Sequence, residues 1–215
     1  MSDLAVDRYE LGPIGTNCYV VRASRSAPDA LVIDPGADAA ALRLELARTG
    51  ARCAAILVTH SHWDHIGAVA DLAEGTGAPV HMPDAEAFVL ERPNEVYGAL
   101  GVRVRPWTPE VRLQGDETLT LAGIELETLR VPGHSPGHIA FHAGGCLFSG
   151  DVLFAGGVGR VDLPGGDWST LIASIRMLGE RFPPQTVVYS GHGPPTTLGD
   201  ELARNPFLAE LRAAG

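Results

Sequence analysis

The sequence predicts an α/β protein, because short apolar strands alternate with amphipathic helices along the chain. The clearest example is the apolar run CAAILVT at residues 53–59, which has the length and composition of a buried strand. The next segment has the apolar spacing of one helix face: Ile66, Val69, Ala70 and Ala73. For a length of 215 residues, we expect one domain over residues 1–215 that ends in a short helical tail at about 198–215.

Local patterns also predict the N-terminal elements. YELGPIGTNCYVVR at 9–22 indicates two short strands about a turn, and ALVID at 30–34 indicates a buried strand that ends before a Pro-Gly pair. Asp38 is expected to cap a helix that ends at Gly50. That helix should bury one apolar face, formed by Leu42 and Leu46.

The C-terminal half continues the alternation. ETLTLAGIELETL at 117–129 and HIAFHAGGCLFSGD at 138–151 each predict a pair of strands about a tight turn, and TVVYS at 186–190 predicts a last buried strand. Asp167 is expected to cap a helix. Its apolar stripe comprises Trp168, Leu171, Ile172, Ile175 and Leu178. Residues 91–116 have no clear period, so we expect a loop that caps a pocket.

The composition argues against several classes of partner. The formal net charge is −10 and all sixteen basic residues are arginines, so the chain is a poor candidate for binding nucleic acid or an anionic membrane. The N-terminus has no apolar signal-peptide core, and no apolar run reaches membrane-spanning length. Cys18, Cys53 and Cys146 are widely spaced in apolar surroundings and indicate reduced core residues. We therefore expect a cytoplasmic protein, either a monomer or a small homo-oligomer.

Side chains of the metal-binding type recur where predicted strands end. Each follows an apolar strand and a short turn, as at the edge of an α/β sheet. They are His60, His62, Asp64, His65, His134, Asp151 and His192. Imidazole and carboxylate ligands suit zinc or iron. Seven ligands exceed one tetrahedral site and suit two metals that share a carboxylate, and glycines at 133, 150, 191 and 193 would let the backbone approach them closely.

These motifs resemble the metallo-β-lactamase superfamily over nearly the whole chain. HSHWDH at 60–65 matches its H-x-H-x-D-H signature, and GHSPGH, SGD and SGHG match the downstream ligand segments. The resemblance implies an αββα sandwich with the metals at one edge of the two sheets. The segments GDVLFAGGVGRVDLPGGD (150–167) and GHGPPTTLGDE with the later NPF (191–207) are most similar to glyoxalase II, the hydroxyacylglutathione hydrolases, in its short bacterial form.

Residue by residue, the resemblance implies two divalent metal ions. Zinc is the expected metal, with iron or manganese as alternatives. The first metal takes three imidazoles, from His60, His62 and His134. The second takes one carboxylate and two imidazoles, from Asp64, His65 and His192. Asp151 bridges the metals, and Asp34 matches a residue that orients a ligand without binding metal. Asp64 and Asp151 are the expected catalytic carboxylates.

The implied reaction is the hydrolysis of a small acyl thioester. Two cations about 3.5–4 Å apart share a hydroxide that attacks the carbonyl carbon, and one cation stabilises the oxyanion. A thiolate with a parent pKa of about 8.5 leaves without a strong general acid, which favours a thioester over an amide. The chain lacks the basic C-terminal helical domain of long glyoxalase II. Arg204 and Arg212 are candidate substitutes, so the identity of the thiol stays open.

Other functions of the same fold also stay open. A persulfide dioxygenase would bind one iron through His60, His134 and Asp151. A lactonase or other ester hydrolase would use the same two metals with a different pocket. The missing signal sequence argues against a secreted β-lactamase. The acidic, lysine-free composition argues against an RNA-processing nuclease. The complete ligand set argues against a non-catalytic scaffold.

Simpler structural roles are expected for several polar residues near the motifs. Ser61 and Asp64 have the spacing of a helix capping box, although capping explains none of the neighbouring histidines. His138 and His142 are expected to form a packed or hydrogen-bonded pair on one strand. His81 is expected at the surface, at a strand end.

Two charged and two aromatic residues could have either a structural role or a place at the pocket: Arg160, Asp162, Phe154 and Tyr97. Arg160 and Asp162 are equally compatible with a structural ion pair and with substrate contact. Phe154 is expected in the aromatic core, and Tyr97 is a candidate for the wall of the pocket.

Overall fold

The computed structural model describes residues 4–209 and 211, which form two six-stranded sheets and a short hairpin. The first sheet begins with the antiparallel strands β1 (Ala5–Leu11), β2 (Thr16–Arg22) and β3 (Asp29–Ile33). It continues in parallel from β3 through β4 (Arg52–Leu57), β5 (Val80–Pro83) and β6 (Val111–Leu113). Its strand order is therefore the order of the chain.

The second sheet is mainly antiparallel. It runs from β7 (Thr118–Leu121) through β8 (Ile124–Arg130) and β9 (Ile139–Ala143) to β10 (Cys146–Gly150). The parallel strand β13 (Val187–Ser190) and the edge strand β14 (Thr196–Thr197) complete it. Between β10 and β13 the chain forms the hairpin of β11 (Leu153–Phe154) and β12 (Gly157–Val158).

Helices cover the outer faces of both sheets. The α-helices are α1 (Ala39–Thr49), α2 (Trp63–Ile66), α3 (Val69–Thr76), α4 (Ala87–Glu91), α5 (Pro93–Tyr97), α6 (Trp168–Arg181) and α7 (Leu198–Arg204). Short 3-10 helices span Asp84–Glu86, Gly98–Leu100 and Pro206–Leu208. Helices α1 and α3 pack on the first sheet, and α6 and α7 pack on the second. No helix among the described residues is long and apolar enough to cross a membrane.

The fold is the predicted four-layer αββα sandwich. Successive side chains of a strand point to opposite faces, so Leu31 and Ile33 of β3 enter the core between the sheets while Val32 packs under the helices. On the second sheet, Phe141 and Phe148 fill the same inter-sheet core. Strand β3 is thus buried on both faces and is an apolar run, whereas β7 and β8 alternate between buried or half-buried and exposed residues.

The predicted hairpins and strands are confirmed, with one difference near the C-terminus. The segment TVVYS forms β13, but Val187 and Tyr189 on one face of this strand are half-buried, and the strand lies next to the edge strand β14. Cys18 and Cys53 are buried free thiols, as predicted, whereas Cys146 is half-buried. Burial raises the pKa of all three thiols, that of Cys53 to about 12.

The helix predicted after β4 is interrupted. Helix α2 ends at Ile66 and α3 begins at Val69, with Gly67 and Ala68 between them. The backbone N–H of Ala68 donates to the carbonyl of Pro35 at 3.0 Å, and a Cβ on Gly67 would meet the carbonyl oxygen of Gly36 at 2.3 Å. Tertiary packing against the loop after β3 therefore breaks a helix that the apolar spacing predicts as continuous.

The two predicted helix caps have different outcomes. Asp167 has extended backbone and accepts a hydrogen bond from the N–H of Thr170 at 2.8 Å, as predicted. Asp38 precedes α1 but has left-handed backbone, with φ of 56°, and its side chain makes no capping bond. The position of the helix start was correct and the capping interaction was wrong. Trp168 was also placed wrongly on the buried stripe, because it is exposed at the start of α6.

Residues 91–116 are more ordered in secondary structure than the predicted loop. They contain α5, a 3-10 helix and the edge strand β6, and their N-terminal part lines the cavity described below. The predicted tail is helical where it is described, and Leu198 and Leu208 pack into the core under the second sheet. Residue 210 and residues 212–215, including Arg212, lie outside the described residues.

Candidate metal centre

The predicted ligand residues converge at one edge of the sandwich, in the loops that follow β4, β8, β10 and β13. In the first group, His60 Nε2 lies 3.0 Å from His62 Nδ1, which lies 2.8 Å from His134 Nε2. Nitrogens around a tetrahedral zinc ion with bonds of about 2.0–2.1 Å are about 3.3 Å apart. The three imidazoles therefore have nearly the spacing of ligands to one cation.

The second group lies beside the first. Asp64 Oδ2 is 3.4 Å from both His65 Nε2 and His192 Nε2. Asp151 lies between the groups, with Oδ1 3.4 Å from His65 Nε2 and Oδ2 3.6 Å from His134 Nε2. These distances bring the two predicted groups next to each other with Asp151 between them, and His60, His65 and Asp151 also lie close enough together to share a cation.

Two buried atoms of this cluster, His65 Nε2 and Asp151 Oδ1, have no hydrogen-bond partner among the described residues. An unpartnered buried polar atom is costly, whereas a cation between these atoms would satisfy both. Nitrogen and carboxylate donors in this number suit two divalent transition-metal ions. The residues thus fit the cofactor that the sequence predicts.

Asp34 fixes the orientation of the ligand loops, as predicted. Its Oδ2 atom accepts a hydrogen bond from Thr59 Oγ1 at 2.7 Å and lies 3.0 Å from His65 Nδ1, and its Oδ1 accepts from the Thr59 N–H. Thr59 Oγ1 is in turn 3.0 Å from His60 Nδ1. One buried carboxylate therefore positions a ring of each group and leaves the opposite nitrogen of each ring facing the cluster.

Electrostatics differ between the two groups. Burial lowers the pKa of His60 well below its usual value and that of His62 to about 4, so these imidazoles are neutral. Donation to the Asp151 and Asp64 carboxylates raises the pKa of His192 to about 9. Burial also acts to lower the pKa of His65, but the Asp151 and Asp34 carboxylates outweigh it and raise the value. A cation entering the second group must therefore displace protons.

Close packing requires glycine at position 191. A Cβ there would meet Asp151 Oδ1 at 2.1 Å and His65 Cε1 at 2.7 Å. The neighbouring Gly193 differs, because it has a positive φ of 77° but open space around its Cα. The expected close approach is confirmed at Gly191, and at Gly193 the backbone conformation is the constraint instead.

Glu86 is a buried carboxylate that sequence reasoning missed. It accepts hydrogen bonds from the N–H of Ser61 at 2.6 Å, from Ser135 Oγ at 2.5 Å and from the N–H of Gly137 at 2.8 Å. It thus joins the loop that carries His62 to the loop that carries His134. Nothing in the segment around Glu86 signals this contact, because its partners are 25 and 51 residues away.

Three further histidines differ from expectation. His138 precedes β9 instead of pairing with His142; it is buried, stacks on His60 with ring centroids 4.6 Å apart, and accepts from the Asp151 N–H at 3.2 Å. His142 packs on Phe182, with centroids 4.1 Å apart. His81 was wrongly placed at the surface: it is buried on β5, because that strand is covered on both faces.

The ligand cluster opens into a cavity of about 740 Å³. Its walls come from the turn after β1, from the segment of α4, α5 and the following 3-10 helix, and from the β11–β12 hairpin with the loop after it. The described residues that line it include five of the predicted ligands, namely His62, Asp64, His134, Asp151 and His192.

Arg160, Phe154 and Tyr97 all line the cavity. Arg160 lines the cavity and forms a two-bond ion pair with Asp162, both bonds being 2.7 Å long. Its backbone carbonyl is 2.8 Å from His134 Nδ1. Phe154 was wrongly assigned to the core, since it lines the cavity half-buried with its ring 6.0 Å from that of His192. Tyr97 lines the cavity as expected and donates to the Ser61 carbonyl at 2.8 Å.

The contacts of Asp64 and the position of Arg204 differ from what the sequence predicts. The capping box is absent, because Asp64 accepts a hydrogen bond from Thr16 Oγ1 at 2.7 Å and the cap position before α2 is His62. Arg204 is exposed at the end of α7 and lies outside the residues that line the cavity, so it does not replace a thiol-binding domain there.

A family comparison agrees with the fold. The metallo-beta-lactamase superfamily model matches residues 11–192, which covers most of the 215-residue chain. The chain belongs to the metallo-β-lactamase superfamily. The ligand motifs identified in the sequence lie within the matched range.

Relatives of similar length support this assignment. The chain is 37% identical over 205 residues to the probable metallo-hydrolase YqgX of Bacillus subtilis, which covers 94% of this chain and 96% of the relative. It is also 37% identical over 185 residues to the hydroxyacylglutathione hydrolase GloC of Haemophilus influenzae, with 84% and 87% covered.

Three solved structures share the fold over most of the chain. The BLEG-1 B3 metallo-beta-lactamase has a TM-score of 0.89 at 40% identity and covers 95% of this chain and 100% of its own. TTHA1623 in a di-iron-bound form has a TM-score of 0.83 at 40% identity, with 94% and 100% covered. ETHE1 from Myxococcus xanthus has a TM-score of 0.80 at 25% identity, with 96% and 85% covered.

Proposed function

We propose that this protein is a metal-dependent hydrolase of small acyl thioesters, similar to the hydroxyacylglutathione hydrolases. The observation that carries the proposal is the second ligand group, in which Asp64, His65 and His192 lie around a position next to the three imidazoles of the first. This gives each of two cations its own ligands, with Asp151 shared.

The assignment of ligands and metals is part of this proposal. His60, His62 and His134 bind the first ion, and Asp64, His65 and His192 bind the second. Zinc is the proposed metal, with iron as the alternative, since the related TTHA1623 has a di-iron-bound form. When bound, two such cations activate water for attack and polarise the carbonyl oxygen of the substrate.

The cavity favours a good leaving group. Among the described residues that line it, the carboxylates are engaged: Glu86 accepts three hydrogen bonds, and Asp64 and Asp151 belong to the ligand cluster. Tyr97 donates its hydroxyl proton to the Ser61 carbonyl. These groups leave no free acid to protonate an amine, whereas a thiolate with a pKa of about 8.5 leaves unaided.

The related proteins support hydrolysis. GloC is named a hydroxyacylglutathione hydrolase and YqgX a probable metallo-hydrolase. An alternative that the sequence leaves open is a persulfide dioxygenase, in which one iron is bound by two histidines and a carboxylate. We propose a small-molecule substrate and a cytoplasmic enzyme that acts as a monomer or small homo-oligomer.

The test combines metal analysis with a substrate screen. After expression with zinc and removal of loosely bound metal, we expect close to two ions per chain, and chelation should abolish activity until zinc is restored. S-lactoylglutathione should be hydrolysed far faster than a chromogenic β-lactam or a homoserine lactone. Faster turnover of the β-lactam or the lactone would contradict the thioesterase. Vigorous oxygen uptake on glutathione persulfide with iron bound would support the dioxygenase instead.

A further inference from the structure

The large apolar side chains that remain exposed are concentrated at the cavity. Among the described residues, seven large hydrophobic side chains are exposed, and four of these line the cavity: Ile14, Phe88, Val96 and Leu100. Their exposed fractions range from 41% to 71%. Isolated exposed apolar residues are ordinary, but a group that surrounds one opening indicates a binding surface.

These four residues, which we term the apolar mouth, come from separate elements. Ile14 lies in the turn between β1 and β2, Phe88 in α4, Val96 in α5 and Leu100 in the following 3-10 helix. Three further apolar residues that line the cavity, Phe154, Val158 and Leu163, come from the β11–β12 hairpin and the loop after it. The ligand cluster lies in the same cavity, so a substrate bound for hydrolysis must pass between apolar walls.

The charges of the cavity do not suit an anionic thiol such as glutathione. Among the described lining residues, Arg160 is the single arginine, and both of its bonds go to Asp162. Binding a substrate carboxylate at Arg160 would mean competing with that ion pair, and a second carboxylate would find no further arginine among the described residues that line the cavity. The residues that line the cavity therefore favour an apolar substrate group over a negatively charged one.

We propose that the substrate carries a bulky apolar acyl group, which packs against the apolar mouth and determines selectivity. This inference rests on the proposed thioester hydrolysis and specifies its substrate class. A volume of about 740 Å³ is within the range of pockets that enclose drug-sized ligands, so the cavity has room for a bulky acyl group. The thiol contributes little to selectivity, because the cavity gives its charges no free partner.

The first test is an acyl series on two thiols. Acetyl, butyryl, hexanoyl and phenylacetyl thioesters are prepared with glutathione and with the neutral N-acetylcysteamine. If the acyl chain is buried at the apolar mouth, kcat/KM should rise about threefold to fourfold per methylene. The rise should be similar on both thiols. A flat or falling series on both thiols, with measurable hydrolysis throughout, would overturn the apolar-acyl inference and leave thioester hydrolysis intact.

The second test uses a matched pair of leucines. Leu100 and Leu44 are each 71% exposed, but Leu100 lines the cavity and Leu44 lies on α1 outside it. Leu100→Ser should lower kcat/KM for the hexanoyl thioester about tenfold and for the acetyl thioester less than about twofold. Leu44→Ser should change neither, and Phe88→Ser should behave like Leu100→Ser. Equal effects of the two leucine variants would contradict the proposal.

A binding measurement separates this inference from the proposed function. The non-hydrolysable thioethers S-hexyl- and S-ethyl-N-acetylcysteamine are titrated calorimetrically into the protein. We expect the hexyl compound to bind at least about tenfold more tightly, and Leu100→Ser to remove this difference. Equal binding would overturn the inference even if no thioester is hydrolysed. If Leu100→Ser instead turns a dimer into a monomer in sedimentation and leaves the chain-length preference unchanged, the mouth is an interface between copies and the proposal fails.

Discussion

The ligand cluster and the apolar mouth line the same cavity, and they are built in opposite ways. In the cluster, His60 and His65 are fully buried. Asp34 contacts His65 directly and holds His60 through Thr59. At the mouth, side chains such as Phe88 and Leu100 project from short helices into solvent.

The difference shows where the molecule can vary. A ligand displaced by a fraction of an ångström spoils a metal site, so the cluster needs rigid support from the loops around it. An apolar wall needs only surface area, so its residues can change with the substrate. Substitutions in the cluster should therefore affect all substrates, and substitutions at the mouth should affect some of them.

The largest effect is expected for His192→Ala. The substitution removes a ligand of the second group while Asp64 and His65 remain, so metal content should fall from near two towards one ion per chain. Thioester hydrolysis should fall on the order of a thousandfold for every acyl chain, because one cation no longer polarises the substrate or activates water. The measurements are metal analysis and steady-state kinetics.

His60→Ala is the reference variant for that experiment, since it should be severe whether one or two metals act. Unchanged metal content and activity in His192→Ala would contradict the binuclear hydrolase. Oxygen uptake on a persulfide that survives this substitution with iron bound would point to the dioxygenase.

Gly191→Ala should have the next largest effect. Its Cβ would lie 2.1 Å from Asp151 Oδ1, and the backbone cannot move away easily because the Gly191 N–H and carbonyl both make hydrogen bonds, to Gly150 and Asn17. Asp151 must therefore shift, and we expect loss of metal and of most activity. Gly193→Ala is the control, since it adds backbone strain without crowding the cluster. Equal metal loss in both variants would contradict a specific role for contact with Asp151, because Gly193→Ala creates no such contact.

A smaller effect is expected for Glu86→Gln. The amide keeps the size of the side chain but has one acceptor oxygen, and its NH2 group would face either the Ser61 N–H or the Gly137 N–H, which bind different oxygens of Glu86. Both ligand loops should loosen, with metal affinity reduced about 10–100-fold as for other residues that support ligands. Competition with a chromogenic chelator measures the affinity. If the affinity is unchanged, Glu86 is not needed to position the loops.

Local sequence predicts the cluster better than the mouth. His60, His62, Asp64 and His65 lie within six residues and directly follow an apolar strand, so their convergence depends on one strand end. Strands and hairpins were also predictable, because alternation and turn residues act over short distances.

The rest depends on tertiary contacts. Helix α2 ends early because the loop after β3 packs against Gly67, and His81 is buried because β5 is covered on both faces. Glu86 and Phe88 belong to a segment without clear periodicity, and their roles appear only when distant loops meet them. The walls of the cavity are therefore the part of the site that the sequence predicts least.

The smallest effect is expected for Arg160→Gln. The Arg160 side chain is exposed and paired with Asp162, an arrangement that contributes little to stability. The contact with His134 Nδ1 uses the Arg160 backbone carbonyl, which the substitution retains, so metal content should not change. For acyl thioesters of the neutral N-acetylcysteamine, kcat/KM should change less than about threefold, as expected for loss of an exposed charge. A decrease confined to glutathione thioesters and on the order of a hundredfold would show instead that Arg160 binds a thiol carboxylate, and selectivity would then depend on charge as well as on the apolar mouth.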